Sequence, residues 1–263
     1  MEYDVATDPA AAWLSALRTS QDILTAVVEP LGAKQLEQPS YDSEWSIAQV
    51  LSHVGSQAEI FGLLLDAGLS GGDPPGQGDF APIWDGWNSR SPQALATDSV
   101  AVNRALIERF ESLDAGQRER FRLETWGMDL DLAGLLSLRA GEHAVHTWDV
   151  VVALDPTATV APDAVELLLG TLGRTAGRAK PDGTKRRIHV VTSSPERHFT
   201  LETGDSVKLA DFEPDDYEAE LELPAEAFLR LVYGRLDDRH PARGAVQADG
   251  VDLVELTAIF GGF

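Results

Sequence analysis

The chain has no cysteine among its 263 residues. Disulfides, thiolate metal ligands and a cysteine nucleophile are therefore excluded, and any thiol chemistry must use a thiol supplied from outside. Lysine is scarce as well. Only Lys34, Lys180, Lys185 and Lys208 stand among 21 basic residues, against 43 Asp plus Glu, for a formal net charge of −22. Such an acidic chain repels phosphate backbones and anionic lipid, so neither nucleic acid nor a membrane is an expected partner. No apolar run reaches about 18 residues, so no transmembrane helix is expected. The opening MEYDVATDPAAAW has no basic stretch followed by an apolar one. No signal peptide is read there, and a soluble cytoplasmic protein is expected. The hydrophobic content is 43%, which is ample for a buried core and too high for low-complexity disorder. The length suits one large domain or two smaller ones, as a monomer or small homo-oligomer.

The first half reads as helices. Pro9 to Val28 carries Trp13, Leu17, Leu24 and Val28 near helical spacing, with Asp8 as candidate N-cap and Pro9 at the first helical position. Ser46 to Ala67 is the clearest helix: Ile47, Val50, Leu51, Val54, Ala58, Phe61 and Leu65 follow the i, i+3, i+4, i+7 pattern. Ser43 or Ser46 is its candidate cap, and His53 lies on the flank of its apolar arc. Residues 68–92 are rich in Gly and Pro and predict a long loop, one that carries Phe80, Trp84, Trp87, Asn88 and Arg90. Ser91-Pro92 opens a helix running to about Leu113, and Leu130 to Leu154 is a fourth, ended by Asp155-Pro156. From Arg187 the segments RIHVVTS, RHFTLET, SVKLAD and YEAELEL read as strands, followed by helical PAEAFLRLVYGR and VDLVELTAIFGG. The expected fold is α+β. A four-helix bundle occupies 1–155, a helical connector 156–180, and a small α/β domain with a mainly antiparallel sheet 181–263.

The chemistry concentrates in Arg139, Glu142, His143, His146 and Asp149. Glu142 and His146 share one helix face at i, i+4, with Arg139 and Asp149 near it, and so do the apolar Leu135, Leu138 and Ala153. Ionisable groups in an apolar stripe cost several kcal/mol each to bury unless they are paired or bind a metal. One reading is a self-satisfied network in which Arg139 pairs with Glu142 and Asp149 holds His146. The other is a metal site, with Glu142 and His146 as two ligands and a third from another helix. His53 is the candidate for the third; His143 points about 100° away from Glu142 and is the weaker choice. Two His and one carboxylate leave a fourth tetrahedral position open, as in catalytic zinc sites, with iron the main rival. His189 and His198 read as strand residues, His240 as a loop residue, and the acidic run Asp211 to Glu222 as a solvated strand face and turn.

Trp45-Ser46 ahead of His53, Trp84-Asp85 with Asn88, and Arg139…Glu142…His146 with Trp148-Asp149 together resemble the mycothiol-dependent maleylpyruvate isomerase family, a branch of the DinB-like metal-binding bundles. The likeness extends over nearly the whole chain, and the C-terminal half is similar to that family's smaller, sterol-carrier-like α/β domain. The resemblance implies a divalent metal, usually zinc, on His53, Glu142 and His146, with mycothiol as the thiol cosubstrate. It matches Arg235, in Leu-Val-Tyr-Gly-Arg, to the arginine that family members bring from the C-terminal domain toward the site, and Arg90 more loosely; the expected role of both is to hold substrate carboxylates. The expected activity is cis–trans isomerisation of an electrophilic small molecule. A mycothiol S-transferase and a non-catalytic metal- or ligand-binding module are the alternatives.

Overall fold

The structure is a computed structural model that describes residues 9–42 and 44–261. The cap candidates Asp8 and Ser43 lie outside the described residues. Two compact units divide between Ala164 and Val165.

The first unit holds α1 (Pro9–Val28), α2 (Ala33–Leu36), α3 (Ile47–Ser70), α4 (Gln77–Asn88), α5 (Pro92–Glu111), α6 (Ala115–Arg120), strands β1 (Leu123–Thr125) and β2 (Met128–Leu130), and α7 (Leu132–Leu154). Each of α1, α3, α5 and α7 packs against two of the other three, which closes a four-helix bundle. The apolar stripes read from the sequence form its core: Leu17 and Leu24 of α1, Leu51 and Leu65 of α3, Phe110 of α5, and Leu135 and Val150 of α7 are all buried. Local chemistry sets the helix ends. The Ser46 hydroxyl accepts from the Gln49 backbone N–H at 3.2 Å while the Gln49 side chain accepts from the Ser46 N–H at 2.8 Å, a reciprocal capping box. Gly71, at φ 66°, closes the other end of α3 in a left-handed cap that favours glycine. Asp131 caps α7 by accepting from the Gly134 N–H at 2.8 Å, and Asp155 before Pro156 leaves the helical region to end it.

The expectation of a loop over 68–92 is corrected. Helix α3 continues to Ser70, and Gln77–Asn88 forms a helix with Pro82 inside it. Tertiary burial outweighs the local penalty. Phe80 and Trp87, seven residues apart, are both buried, and Pro82 removes a single helical hydrogen bond. Trp87 lies across α3 at Gly55, where an added Cβ would meet its ring carbons at 2.2 Å. The Trp87 indole N–H donates to Glu59 Oε1 at 2.9 Å, and the Ser52 hydroxyl donates to Asn88 Oδ1 at 2.8 Å.

Helix α8 (Pro162–Leu169) crosses the division between the units. The second unit continues with α9 (Leu172–Ala176), β3 (Arg186–Ser193), β4 (Arg197–Thr203), β5 (Lys208–Asp211), β6 (Ala219–Pro224), α10 (Ala225–Val232), β7 (Gln247–Asp249) and α11 (Leu253–Phe260). Its five-stranded sheet has the order β5-β4-β3-β6-β7. All pairs are antiparallel except β3 with β6, which are parallel with Val190 opposite Leu221. Helix α10 packs against β3, β6, α9 and α11. The fold is thus α+β with a mainly antiparallel sheet, as the sequence predicts. No helix among the described residues is long and apolar enough to cross a membrane.

Candidate metal centre

The capping box at Ser46 starts α3 in a register that turns His53 toward α7. There it meets Glu142 and His146, one turn apart. His53 Nε2 lies 3.4 Å from Glu142 Oε2, and His146 Nε2 lies 3.6 Å from the same oxygen. One ligand atom from each of the three residues lies within 4.8 Å of the others, and the two imidazole centroids are 4.5 Å apart. Two ligands on one tetrahedral zinc stand about 3.3 Å apart, given metal–ligand bonds of about 2.0–2.1 Å. The two separations from Glu142 Oε2 are close to that spacing. They are longer than a charge-assisted hydrogen bond, for which about 2.7–2.9 Å is usual.

The His146 ring is held from behind. Its Nδ1 lies 2.9 Å from Asp149 Oδ2, and the Asp149 side chain is only 2% exposed. An Nδ1–H that donates to Asp149 leaves the Nε2 lone pair facing Glu142, which is the tautomer a metal requires. Asp149 is itself fixed from the other side, where its carbonyl accepts from the Tyr41 N–H at 3.0 Å. The segment from Ser40 to Ser46 also carries Trp45, whose ring centroid lies 5.7 Å from that of His53 and which is 39% exposed. The Ser40 N–H and hydroxyl both donate to the Trp45 carbonyl, at 2.8 and 2.9 Å. Glu142 keeps 42% of its side-chain surface, against 23% for His53 and 17% for His146. The donors therefore converge at a place a small molecule can reach.

The protonation directions fit a coupled cluster. Burial lowers the His53 pKa, and its contacts with Glu142 only partly offset that. Burial alone would raise Glu142, but contacts with His146 and His53 hold its carboxyl well below the usual range. Burial also opposes charge on His146, yet Asp149 and Glu142 together push it up to about 9. Without an ion, a proton on His146 partly neutralises the two carboxylates; a cation among the three donors would take over that work.

The Arg139–Glu142 ion pair of the self-satisfied reading does not form. Arg139 instead reaches α3 and α5, where its Nη2 donates to the Val54 carbonyl at 3.2 Å and to Asn103 Oδ1. A long side chain starting one turn away extends past its helical neighbour into the bundle core. The Asp149–His146 half of that reading does form. His143 points elsewhere, as its angle predicts. It is fully buried, with Nδ1 2.7 Å from the Ser20 hydroxyl and Nε2 3.0 Å from Gln21 Oε1, and burial first of all holds its pKa well below normal.

The other sequence candidates are placed as follows. The Arg90 guanidinium lies 3.8 Å from the Trp87 ring centroid and donates to Asp98 Oδ2 at 3.1 Å. Trp87 of α4 is buried against α3 at Gly55, and the Trp84 ring centroid lies 5.9 Å from that of Phe80. Arg235 follows α10 in the second unit and donates through Nη1 to the Tyr233 carbonyl at 2.7 Å. His189 and His198 are neighbours on β3 and β4, 3.0 Å apart between ring nitrogens, and His189 Nδ1 lies 2.9 Å from Glu220 Oε2 on β6. His240 lies in the segment after α10, with Nδ1 3.2 Å from Asp237 Oδ1. The sequence reading missed Asn103 as the partner of Arg139. Its trace was a polar residue one turn after Ser99 on the apolar face of α5.

A four-helix bundle presenting one carboxylate and two imidazoles at a single opening defines a bundle protein with a candidate three-donor metal centre. The family model described as "Mycothiol maleylpyruvate isomerase N-terminal domain" matches residues 17–151, just over half of the chain, and includes all three donors. The chain belongs to this family. Among solved structures it is similar to the crystal structure of the mycothiol-dependent maleylpyruvate isomerase, with a TM-score of 0.68 at 14% identity, covering 95% of this chain and 98% of that one. It is equally similar to a histidine-to-alanine mutant of that isomerase, with a TM-score of 0.68 at 13% identity. At such identities these matches establish the fold. No curated protein matches the chain.

Proposed function

We propose that this chain is a zinc-dependent enzyme that uses mycothiol as thiol cosubstrate and isomerises a cis-unsaturated carbonyl compound of the maleylpyruvate type. The observation that carries the reading is the convergence of His53, Glu142 and His146 at co-ligand spacing on an accessible face. Membership of the mycothiol maleylpyruvate isomerase N-terminal domain family supports it. So does the absence of any cysteine, since the thiol must then come from a cosubstrate.

His53, Glu142 and His146 would hold the ion, and Asp149 would keep His146 in its metal-binding tautomer. A bound divalent ion supplies positive charge that keeps a thiol as thiolate at neutral pH. The thiolate then adds to the alkene carbon β to the carbonyl, and the π electrons move to the carbonyl oxygen as an enolate. The former double bond is now single and rotates. Collapse of the enolate re-forms the alkene in the trans geometry and expels the thiolate, so atoms and charge balance without a redox partner. Trp45 offers a flat apolar wall beside His53. The family resemblance implies Arg235, and more loosely Arg90, as catalytic residues, and a guanidinium can hold a carboxylate bidentately.

The test is turnover of maleylpyruvate by the zinc-loaded chain with mycothiol, followed by the absorbance of the cis and trans isomers. The reading expects thiol-dependent formation of the trans isomer, lost in His146→Ala. A stable thiol conjugate in its place would make the chain an S-transferase. No thiol-dependent turnover of any electrophile would leave a binding module. Arg235→Ala and Arg90→Ala should raise KM or lower kcat with the metal retained; loss of metal or of folding in either variant would contradict the carboxylate role.

A further inference from the structure

We infer that Arg139 is a positioning residue that sets the separation of α3 and α7, and with it the geometry in which His53 meets Glu142 and His146. This rests on the metal reading above. Arg139 is 1% exposed, and its guanidinium Nε and Nη1 are buried with no hydrogen-bond partner. A cation left so is unfavourable, and burial pulls its pKa down to about 10. For holding a bundle together, an apolar side chain of similar volume serves as well or better. The charge therefore needs a reason beyond packing.

The bonds Arg139 does make supply one. Its Nη2 donates to the Val54 carbonyl at 3.2 Å, and Val54 directly follows His53. The same nitrogen donates to Asn103 Oδ1. Asn103 in turn donates through Nδ2 to the Val54 carbonyl at 3.4 Å and to the Ser99 carbonyl at 2.8 Å. Arg139 lies three residues before Glu142 on α7. The guanidinium is thus a rigid cross-brace from the α7 turn that carries Glu142 to the α3 turn that carries His53, locked sideways to α5. The Phe61 ring, with its centroid 5.6 Å from the guanidinium carbon, lies beside the brace. A well-formed metal site keeps its ligand distances within about 0.2 Å of the ideal values, and a core side chain of changed shape shifts the backbone around it. A planar fork bonded to the backbone beside a ligand fixes that spacing more tightly than apolar packing does.

The test uses the full-length chain without thiol or substrate. Zinc affinity is measured by competition with a chromophoric chelator, the visible bands of the cobalt-loaded form report ligand geometry, and urea unfolding reports stability. Arg139→Met should fold at least as stably as the parent, bind zinc at least tenfold more weakly and show altered cobalt bands. Arg139→Lys should recover part of the affinity. A folded Arg139→Met variant with parental affinity and cobalt spectrum would overturn the inference. If Arg139→Met does not fold, Asn103→Leu removes the sideways lock and should weaken zinc in the same way; unchanged affinity there overturns the inference equally. A parent chain that binds neither zinc nor cobalt would instead remove the metal reading itself.

Discussion

Asp149 shows how a buried carboxylate becomes useful. Its side chain is 2% exposed and accepts from His146 Nδ1 at 2.9 Å, so its charge is satisfied where it also fixes an imidazole lone pair. Removing such a partner typically costs about 10–100-fold in metal affinity. Asp149→Asn should therefore keep the fold and weaken zinc by about that factor, as read by chelator competition; unchanged affinity would show that His146 needs no such hold. The sequence singled out Glu142, His146 and Asp149 because they interrupt an apolar stripe, and His53 because few histidines fall in the bundle; the structure brings His53, Glu142 and His146 together. Arg139 was harder to read. Helical spacing places its Cα beside Glu142, but the side chain is long enough to leave its own helix, and nothing local encodes that it ends on Val54 and Asn103.

Two features of α3 are testable by single substitutions. Ser46→Ala removes the acceptor of the capping box and should cost about 1 kcal/mol in urea unfolding, with no change in the donors. Gly55 is a stricter requirement, because a methyl group there would meet the Trp87 ring. Gly55→Ala should cost about 1–3 kcal/mol through displacement of α4 and shift the fluorescence of the buried tryptophan; parental stability would show that α4 docks loosely. The same helix marks where pattern reading fell short. Phe80, Ile83, Trp84 and Trp87 do repeat at helical spacing, but Gly78, Pro82 and Gly86 argue locally for a loop, and burial of the aromatic face decides the outcome. The four long bundle helices and strands β3 to β6 were readable from periodicity. The β1–β2 hairpin was not: its strands have three residues each, and its turn, Trp126-Gly127 at φ 51° and 72°, lacks the usual Asn-Gly or Asp-Gly marker. Nor was the parallel pairing of β3 with β6, since alternation along a strand says which residues share a face and not which strand lies beside it.

Taken together, the chain combines a net charge of −22 with one candidate centre, among the described residues, that gathers two imidazoles and a carboxylate. A cation that binds only the folded chain stabilises it by mass action. At about 100 times its Kd the gain is about 2.7 kcal/mol, which shifts Tm upward by several degrees, and a chelator reverses it. His53→Ala and His146→Ala should abolish that response while leaving the helical signal in circular dichroism intact. The most direct measurement is the zinc stoichiometry of the purified chain beside that of its His53→Ala variant, by elemental analysis after dialysis against trace metal. The account predicts one ion per parent chain and none per folded variant. Equal occupancy in the two, or none in the parent, would contradict it.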